Sequence, residues 1–332
     1  MKIGIIFNQP SDPGQLHWEA SADVLAQAEA VETALNALNH RTVRIAFTRD
    51  VGSFVSALQK EQVEAVFNLC ETVDEDPTLS WHPAALLELM NIPFSGSPST
   101  ALMLTADKIL PKQLLSAEAI AAPRHVAYRN GVHFNPAGLQ FPVIVKPRFE
   151  DASIGIDQES IFKQPDQLVR QIASFSARFG PVLIEEYIAG REFNLSLMGG
   201  PLPRVLPMAE IDFSNFPDTL YAIVGYRAKW DRTSFEYRHT PRCFPQNLSN
   251  SLATRLERIA QACFDLFGLR DYGRVDMRVD DRENIYVLEV NANPCISPDA
   301  GLAASFQQTG KDYTSLVAEV TECVCRRMAN NQ

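Results

Sequence analysis

Arg274, Asp276, Glu289 and Asn291 lie in two runs that alternate polar and apolar residues on either side of Asp281-Arg282-Glu283-Asn284. Such alternation around a polar tetrad reads as a β-hairpin. With a four-residue connection and no bulge, Asp276 faces Glu289 and Arg274 faces Asn291. Val275, Met277 and Val279 then share the opposite face with Tyr286, Leu288 and Val290, and this apolar surface fixes the register, because a one-residue slip would bury the carboxylates. Two carboxylates and an amide oxygen about 5 Å apart are hard-oxygen donors suited to Mg2+ that keeps waters and phosphate oxygens as its other ligands. Any one of these acids alone reads as a solvated sheet position or a partner of Arg278. Four polar groups aligned opposite an apolar face read as a metal–nucleotide site.

A second signal is Lys146, which ends the apolar run Phe141-Pro142-Val143-Ile144-Val145 and precedes the small-residue turn Asp151-Ala152-Ser153-Ile154-Gly155. Such a turn can point backbone N–H groups at phosphate. Alone it reads as an ordinary surface loop. No G-x-x-x-x-G-K, G-x-G-x-x-G, H-E-x-x-H or G-x-S-x-G occurs in the chain.

These groups need a scaffold, and the periodicity supplies an α/β one. It predicts strands over 2–7, 42–47 and 65–69 with helices over 19–38 and 51–60, the pattern of a parallel sheet. A helix near 82–90, another reaching about 119, strands over 141–146 and 181–187 around a helix at 166–178, a helix over 249–268 and a closing helix over 312–328 follow. The segment 213–247 shows no clean period and reads as a long loop of the kind that closes over a site. At roughly 150 residues per domain, 332 residues allow two domains, with Pro123 opening the second. A formal net charge of -10 disfavours nucleic acid and anionic lipid as partners. No run of about 18 apolar residues is present and the opening strand is too short for a signal sequence, so a cytoplasmic protein is expected. The six cysteines lack paired C-x-x-C spacing and read as packing residues and free thiols.

Six motifs in order resemble the ATP-grasp ligases, specifically the D-alanine:D-alanine ligase group, over residues 63–325. They are Lys108 in Leu104-Thr105-Ala106-Asp107-Lys108, Lys146, Glu185-Glu186-Tyr187-Ile188 with Gly190-Arg191-Glu192, Ala228-Lys229, Gly273-Arg274-Val275-Asp276 and Leu288-Glu289-Val290-Asn291-Ala292-Asn293-Pro294. The resemblance implies an α/β (α+β) ATP-grasp fold behind an N-terminal parallel-sheet domain. Residues 1–122 would form that domain and 123–332 the ATP-grasp region, divided into 123–200 and 201–332. It implies that Lys108 and Lys146 hold the ATP phosphates. The Glu185 side chain and the backbone of Glu186, Tyr187 and Ile188 would read the adenine, and Glu192 the ribose. Lys229 would meet the γ-phosphate as its loop closes. Asp276, Glu289 and Asn291 would hold two Mg2+, with Mn2+ an alternative, and Arg274 would steady an oxyanion. Arg274, Lys229 and Ser153 are the expected catalytic residues, and the group's habit allows a homodimer.

The substrate side departs from that group. Asp151-Ala152-Ser153 stands where Gly-Ser-Ser is usual, and Trp230 replaces the tyrosine that would join a serine, here Ala152, and an N-terminal glutamate near the first substrate. Ala300-Gly301 follows Asp299 where a Ser-Leu pair is usual, and Asn68-Leu69-Cys70-Glu71 and Asp74-Glu75-Asp76 replace His-Gly and Gly-Glu-Asp-Gly. Glu71 and Arg191 are candidate substrate contacts that read more readily as structural or exposed charges. The expectation is an ATP-dependent carboxylate–amine ligase that works through an acyl phosphate on amino-acid-like substrates. The rivals are a true D-alanine:D-alanine ligase and a non-catalytic ATP-binding regulator.

Overall fold

The computed structural model describes the chain except Leu16, His133, Pro201, Leu202, Asn331 and Gln332. The subdomain division expected at residue 201 falls on Pro201 and lies outside the described residues. Strands β1 (Lys2–Asn8), β2 (Arg41–Phe47) and β3 (Ala65–Asn68) form a parallel sheet in the order β2-β1-β3. Both faces of β1 are covered: Ile3 and Ile5 are buried on one side and Ile6 on the other, which is why the strand reads as a continuous apolar run. Helix α1 (Trp18–Ala37) covers the first side with Val24, Ala28, Val31 and Leu35. Helix α2 (Val51–Glu61) starts where the Asp50 carboxylate accepts from Ser53 N at 3.0 Å, and it covers the other side with Phe54 and Leu58.

Helix α3 (His82–Leu89) is followed by α4 (Ser99–Ala106) and α5 (Leu110–Ala117). The helix expected to run unbroken to about 119 is interrupted, because Asp107 turns back to accept from Ile109 N at 2.9 Å and Pro111 starts a new first turn. Lys108 sits at that break. The second sheet contains β4 (His125–Tyr128), β5 (Val143–Pro147), β6 (Ile161–Phe162) and β7 (Val182–Glu186) in the order β4-β7-β5-β6. Helix α6 (Pro165–Phe179) packs Leu168 and Ile172 against it.

The third sheet has β8 (Arg191–Gly199), β9 (Arg204–Val205), β10 (Ala209–Ile211), β11 (Arg242–Cys243), β12 (Asp271–Val279) and β13 (Ile285–Asn291), ordered β11-β10-β8-β12-β13 with β9 also on β8. The central strand β8 extends the Gly190-Arg191-Glu192 motif, and its alternation of Phe193, Leu195 and Leu197 with Glu192, Asn194 and Ser196 is the signal that marks it. The segment expected to be a structureless loop over 213–247 holds α7 (Tyr226–Trp230), α8 (Phe235–Arg238) and β11. Helices α9 (Asn250–Leu266), α10 (Gly301–Gln307) and α11 (Tyr313–Asn330) complete the fold, and α11 carries Leu316, Val317 and Val320 into the core beside α1. Among the described residues no helix is long and apolar enough to cross a membrane.

The β12–β13 hairpin pairs Asp276 with Glu289 and Arg274 with Asn291, although two of the premises behind that register were wrong. Val279 pairs with Ile285, so the connection is Asp280–Asn284, one residue longer than expected, and a bulge between Asp276 and Met277 leaves Leu288 unpaired. The two errors cancel at Glu289. They do not cancel nearer the turn: Ile285 and Val287, rather than Tyr286 and Leu288, are buried with Val275, Met277 and Val279.

Candidate active site

An open cavity lies between the second and third sheets, and its walls bring together Lys108, Lys146, Ser153, Lys229, Arg274, Glu289 and Asn291. Leu288, swung out of the apolar face by the bulge, is also in the wall. The carboxylate of Glu289 receives Lys108 Nζ at 3.2 Å. Burial would raise the Glu289 carboxyl, but Lys108, Lys146, Lys229 and Arg274 overcome it and hold the group down at about 2. Glu289 is therefore an anion in a cage of cations at neutral pH.

Asp276 stands behind this wall on β12. Arg274 grips it with two bonds, Nε to Oδ1 at 2.7 Å and Nη2 to Oδ2 at 2.9 Å, while Asn194 donates to Oδ1 at 2.9 Å and Asn291 to Oδ2 at 3.2 Å. Three strands thus supply one polar face: Asn194, Asp276 and Glu289 form one rung, and Ser196, Arg274 and Asn291 the next. Asn194 is missing from the sequence reading. Its signal was its place beside the Glu192 motif, which only the recognition of β8 turns into a position opposite Asp276.

The lysines rest on a buried anion. Glu185, 1% exposed, takes Lys112 Nζ at 2.7 Å and Lys146 Nζ at 2.5 Å. Burial would raise this carboxyl, but the two lysines outweigh it and hold it at about 2. Glu185 is the counter-ion of the lysines in this structure. Lys112 lies in the first turn of α5, where a lysine in sequence reads as solvent-facing, and so sequence reasoning passes it over. Glu192 gives Oε2 to Arg278 Nε and Nη2 at 3.0 and 2.7 Å. Glu186 accepts from Gln140 N at 2.7 Å, and Tyr187 and Ile188 lead from β7 toward Gly190, whose φ of +132° and approach to Val279 O exclude a side chain.

The turn at 151–155 places Ala152, Ser153 and Gly155 at positive φ and is closed by Ile154 N donating to Asp151 O and Ile156 N to Ser153 O, each at 3.0 Å. The segment around α7 lies across this turn. Ser153 Oγ donates to Val224 O at 2.8 Å and Trp230 Nε1 to Ala152 O at 3.0 Å. The replaced tyrosine and serine are thus still joined, through an indole and a backbone carbonyl. Lys229 beside them has its proton affinity lowered by burial and by Arg274, with Glu289, Asp276 and Asp151 opposing. Glu71 borders the same region: Gln27 Nε2 donates to its Oε1 at 3.0 Å, and burial pushes its carboxyl up to about 7. Arg191 pairs with Glu210 at 2.7 Å at the sheet surface and does not reach the cavity.

Residues 127–322 match the family described as D-ala D-ala ligase C-terminus. The chain belongs to that family. Consistent with this membership, it is similar to y4sG of Sinorhizobium fredii, a protein described as uncharacterized, at 31% identity over 267 residues, 80% of this chain and 76% of that one. It is also similar to the D-alanine–D-alanine ligase of Carboxydothermus hydrogenoformans, at 28% identity over 331 residues, 96% of this chain and 97% of that one. In fold it resembles the D-alanine–D-alanine ligase of Bacillus anthracis complexed with ATP, with a TM-score of 0.79, 22% identity and complete coverage of both chains. Family membership makes the protein an ATP-dependent carboxylate–amine ligase on an ATP-grasp fold, acting on small amino-acid-like substrates.

Proposed function

We propose that this ligase activates a carboxylate as an acyl phosphate at the cavity between the second and third sheets and joins it to an amine, with a product other than D-alanyl-D-alanine. The observation that carries the reading is the convergence of Lys108, Lys146 and Lys229 on one cavity opposite Glu289 and Asn291. A free carboxylate is a poor electrophile, and transfer of phosphate to it brings two anions together. Three lysines offset that repulsion. Lys146 and Lys108 would hold the phosphates, the N–H groups of the 151–155 turn would cover them, and Ser153 and Lys229 would close the far side.

The donor set of Asp276, Glu289 and Asn291 is of the hard-oxygen type that suits Mg2+ and leaves room for phosphate oxygens and water, with Asp276 joining it by releasing one of the bonds from Arg274, Asn194 and Asn291 that fill both of its oxygens. These residues would hold the metal, which would neutralise phosphate charge. Asn194 and Asn291 keep Asp276 fixed, and Arg274, held by both of its oxygens, presents its remaining N–H groups toward the cavity, where charge grows on the former carbonyl oxygen as the amine adds. The indole bond to Ala152 O keeps the α7 segment seated and water away from the acyl phosphate.

Replacing polar contacts in a pocket changes what it accepts by factors of up to ~10^4, so Trp230, Ala152 and Glu71 argue for substrates different from D-alanine. We also assign residues 1–122 and 123–332 to separate domains, and infer a homodimer in the cytoplasm from the habit of the family. Incubation with Mg-ATP and panels of carboxylates and amines, with mass analysis, tests the reading. ADP release that requires both partners, and a product lighter than their sum by one water, is expected. Turnover with D-alanine alone would restore the D-alanine:D-alanine assignment, and ATP binding with no ADP from any pair would overturn catalysis.

A further inference from the structure

Ile285 and Val287 are buried on the apolar face of the hairpin, and strict alternation from them would carry residue 289 to that face as well. Glu289 instead lies opposite Asp276 and in the cavity wall. The bulge makes the difference. One extra residue, Leu288, reverses the alternation, so that Val287 and Val290 are both buried while Glu289 between them turns to the polar face. The place of this carboxylate therefore depends on a bulge in β13, the last strand of the third sheet, which has no further strand beside it to hold the register.

One segment of the chain holds that strand instead. Val287 N donates to Ala121 O at 2.8 Å, Lys112 Nζ to Leu288 O at 3.3 Å, and Lys108 Nζ meets Glu289 Oε1 at 3.2 Å. Residues 287, 288 and 289 are thus each fixed by the stretch that runs from the break before α5 to the loop after it. The bond from Lys112 falls on the bulged residue itself, which is unpaired in the ladder and whose carbonyl needs a donor from elsewhere. The same ammonium is anchored at 2.7 Å on Glu185, whose other oxygen holds Lys146. Lys112 therefore ties the register of Glu289 to the lysine at the end of β5.

We propose that Lys112 is a positioning residue that holds the bulge at Leu288, keeps Glu289 in the cavity wall and so couples binding of the metal to binding of the phosphates. This rests on the ligase reading, in which Glu289 holds Mg2+ and Lys146 the phosphates. Without the ammonium the bulge can shift by one residue, which sets Leu288 opposite Asp276 and leaves Glu289 unpaired, while Val287 and Val290 stay on the buried face. The apolar core of the hairpin does not resist that shift. The donor to Leu288 O does, together with the contact of Lys108 on Glu289.

The test compares the full-length protein with Lys112→Met, with Lys112→Met combined with Glu185→Leu, and with Glu185→Gln. Deuterium uptake over residues 285–291 is followed by mass spectrometry, and the Mn2+ concentration that half-saturates the thermal shift is measured with ADP in excess. Both proteins that lack Lys112 should exchange this stretch ~10-fold faster than wild type and need ~10-fold more Mn2+, with Glu185→Gln within ~3-fold of wild type in both. The double variant decides, because it relieves the stranded charge and still lacks the donor to Leu288 O. Wild-type exchange in the double variant, or exchange in Glu185→Gln as fast as in Lys112→Met, would reduce Lys112 to a counter-ion and overturn the proposal. Faster exchange with an unchanged Mn2+ requirement overturns it too. If Mn2+ and ADP do not shift the wild type, the nucleotide–metal reading fails by itself, and the exchange comparison still decides whether Lys112 holds the bulge.

Discussion

Lys112 and Glu185 form an ion pair at 2.7 Å with side chains only 2% and 1% exposed. The pair sits beneath Lys146, which takes the other oxygen of the same carboxylate. Removing one partner of a buried pair leaves charge without compensation and costs about 3–5 kcal/mol, and the lower end applies here because Lys146 remains. Lys112→Met should therefore lower the urea midpoint strongly, while Lys112→Met combined with Glu185→Leu should recover much of the stability and still bind ATP weakly. The sign with pH follows from the depressed Glu185 carboxyl: its stabilising contribution is present above its ordinary 4.5 and is lost as pH falls through about 2. A Lys112→Met protein as stable as wild type at pH 7 would show that the pair bears no weight.

Glu71 predicts the opposite pH dependence. Burial raises its carboxyl to about 7, with Asp23 and Asp151 adding and Gln27 and Lys229 opposing. Folding thus takes up a proton between pH 4.5 and about 7, and the acid weakens the fold increasingly as pH rises through that window. A shift of this size corresponds to about 3 kcal/mol, which partial access to solvent reduces to about 1–2 kcal/mol. Glu71→Gln, which keeps a partner for the Gln27 amide, should raise the melting temperature at pH 8 and leave it nearly unchanged at pH 4.5. A gain that grows toward low pH would contradict this assignment. Loss of kcat/KM in the same variant, without loss of ATP binding, would add a substrate contact to its role.

The polar face of the hairpin was legible because it depends on alternation and on opposition across a hairpin, both of which are local. Asp276, Glu289 and Arg274 could be placed together from residue types alone. Leu288 could not: a bulge costs one unpaired residue and leaves no mark in the pattern beyond the run Val287-Leu288, so the turn end of the hairpin was read on the wrong face. The parallel sheet was legible for the same reason, as runs such as Ile3–Phe7 bounded by turns. The contacts of Lys112, Asn194 and Arg278 were not, since each depends on a partner between 73 and 86 residues away. Trp230 looked like the loss of a contact. Only coordinates show the indole reaching a backbone carbonyl, which no side-chain pattern encodes.

That indole bond supports a prediction about coupling. Trp230→Phe keeps the ring and removes the donor, leaving Ala152 O unpaired beneath the α7 segment. A hydrogen bond of this kind is worth about 1 kcal/mol net, so the seated position of the segment should become about fivefold less populated. ATP hydrolysis with the carboxylate substrate and no amine should rise relative to amide formation, while KM for ATP changes little. The ratio of ADP to ligated product measures it, and an unchanged ratio would remove the indole bond from the water-excluding machinery.

Arg278 joins more segments than any expected site residue. Besides both bonds to Glu192, its Nη1 donates to Ile188 O and Gly190 O, each at 3.3 Å, and its Nη2 to Ala222 O. It also lies over the rings of Tyr187 and Phe213, at 5.7 and 5.4 Å from their centres. One planar cation thus ties the chain after β7, the first strand residues of β8 and the segment that leads into α7. Among the described residues Glu192 Oε1 has no hydrogen-bond partner, and in the proposed reading a ribose hydroxyl would donate there while Arg278 holds Oε2. Arg278→Lys retains charge but cannot reach four partners at fixed angles, so it should raise KM for ATP ~10-fold with a smaller fall in kcat. Arg278→Met should also destabilise the fold by about 3 kcal/mol or more by stranding Glu192. In Arg278→Lys, protease cleavage within residues 213–225 should become faster, and saturating Mg-ATP should restore less of the protection than it does in wild type. Equal protection in both proteins would reduce Arg278 to a packing residue and separate the ribose contact from the seating of α7.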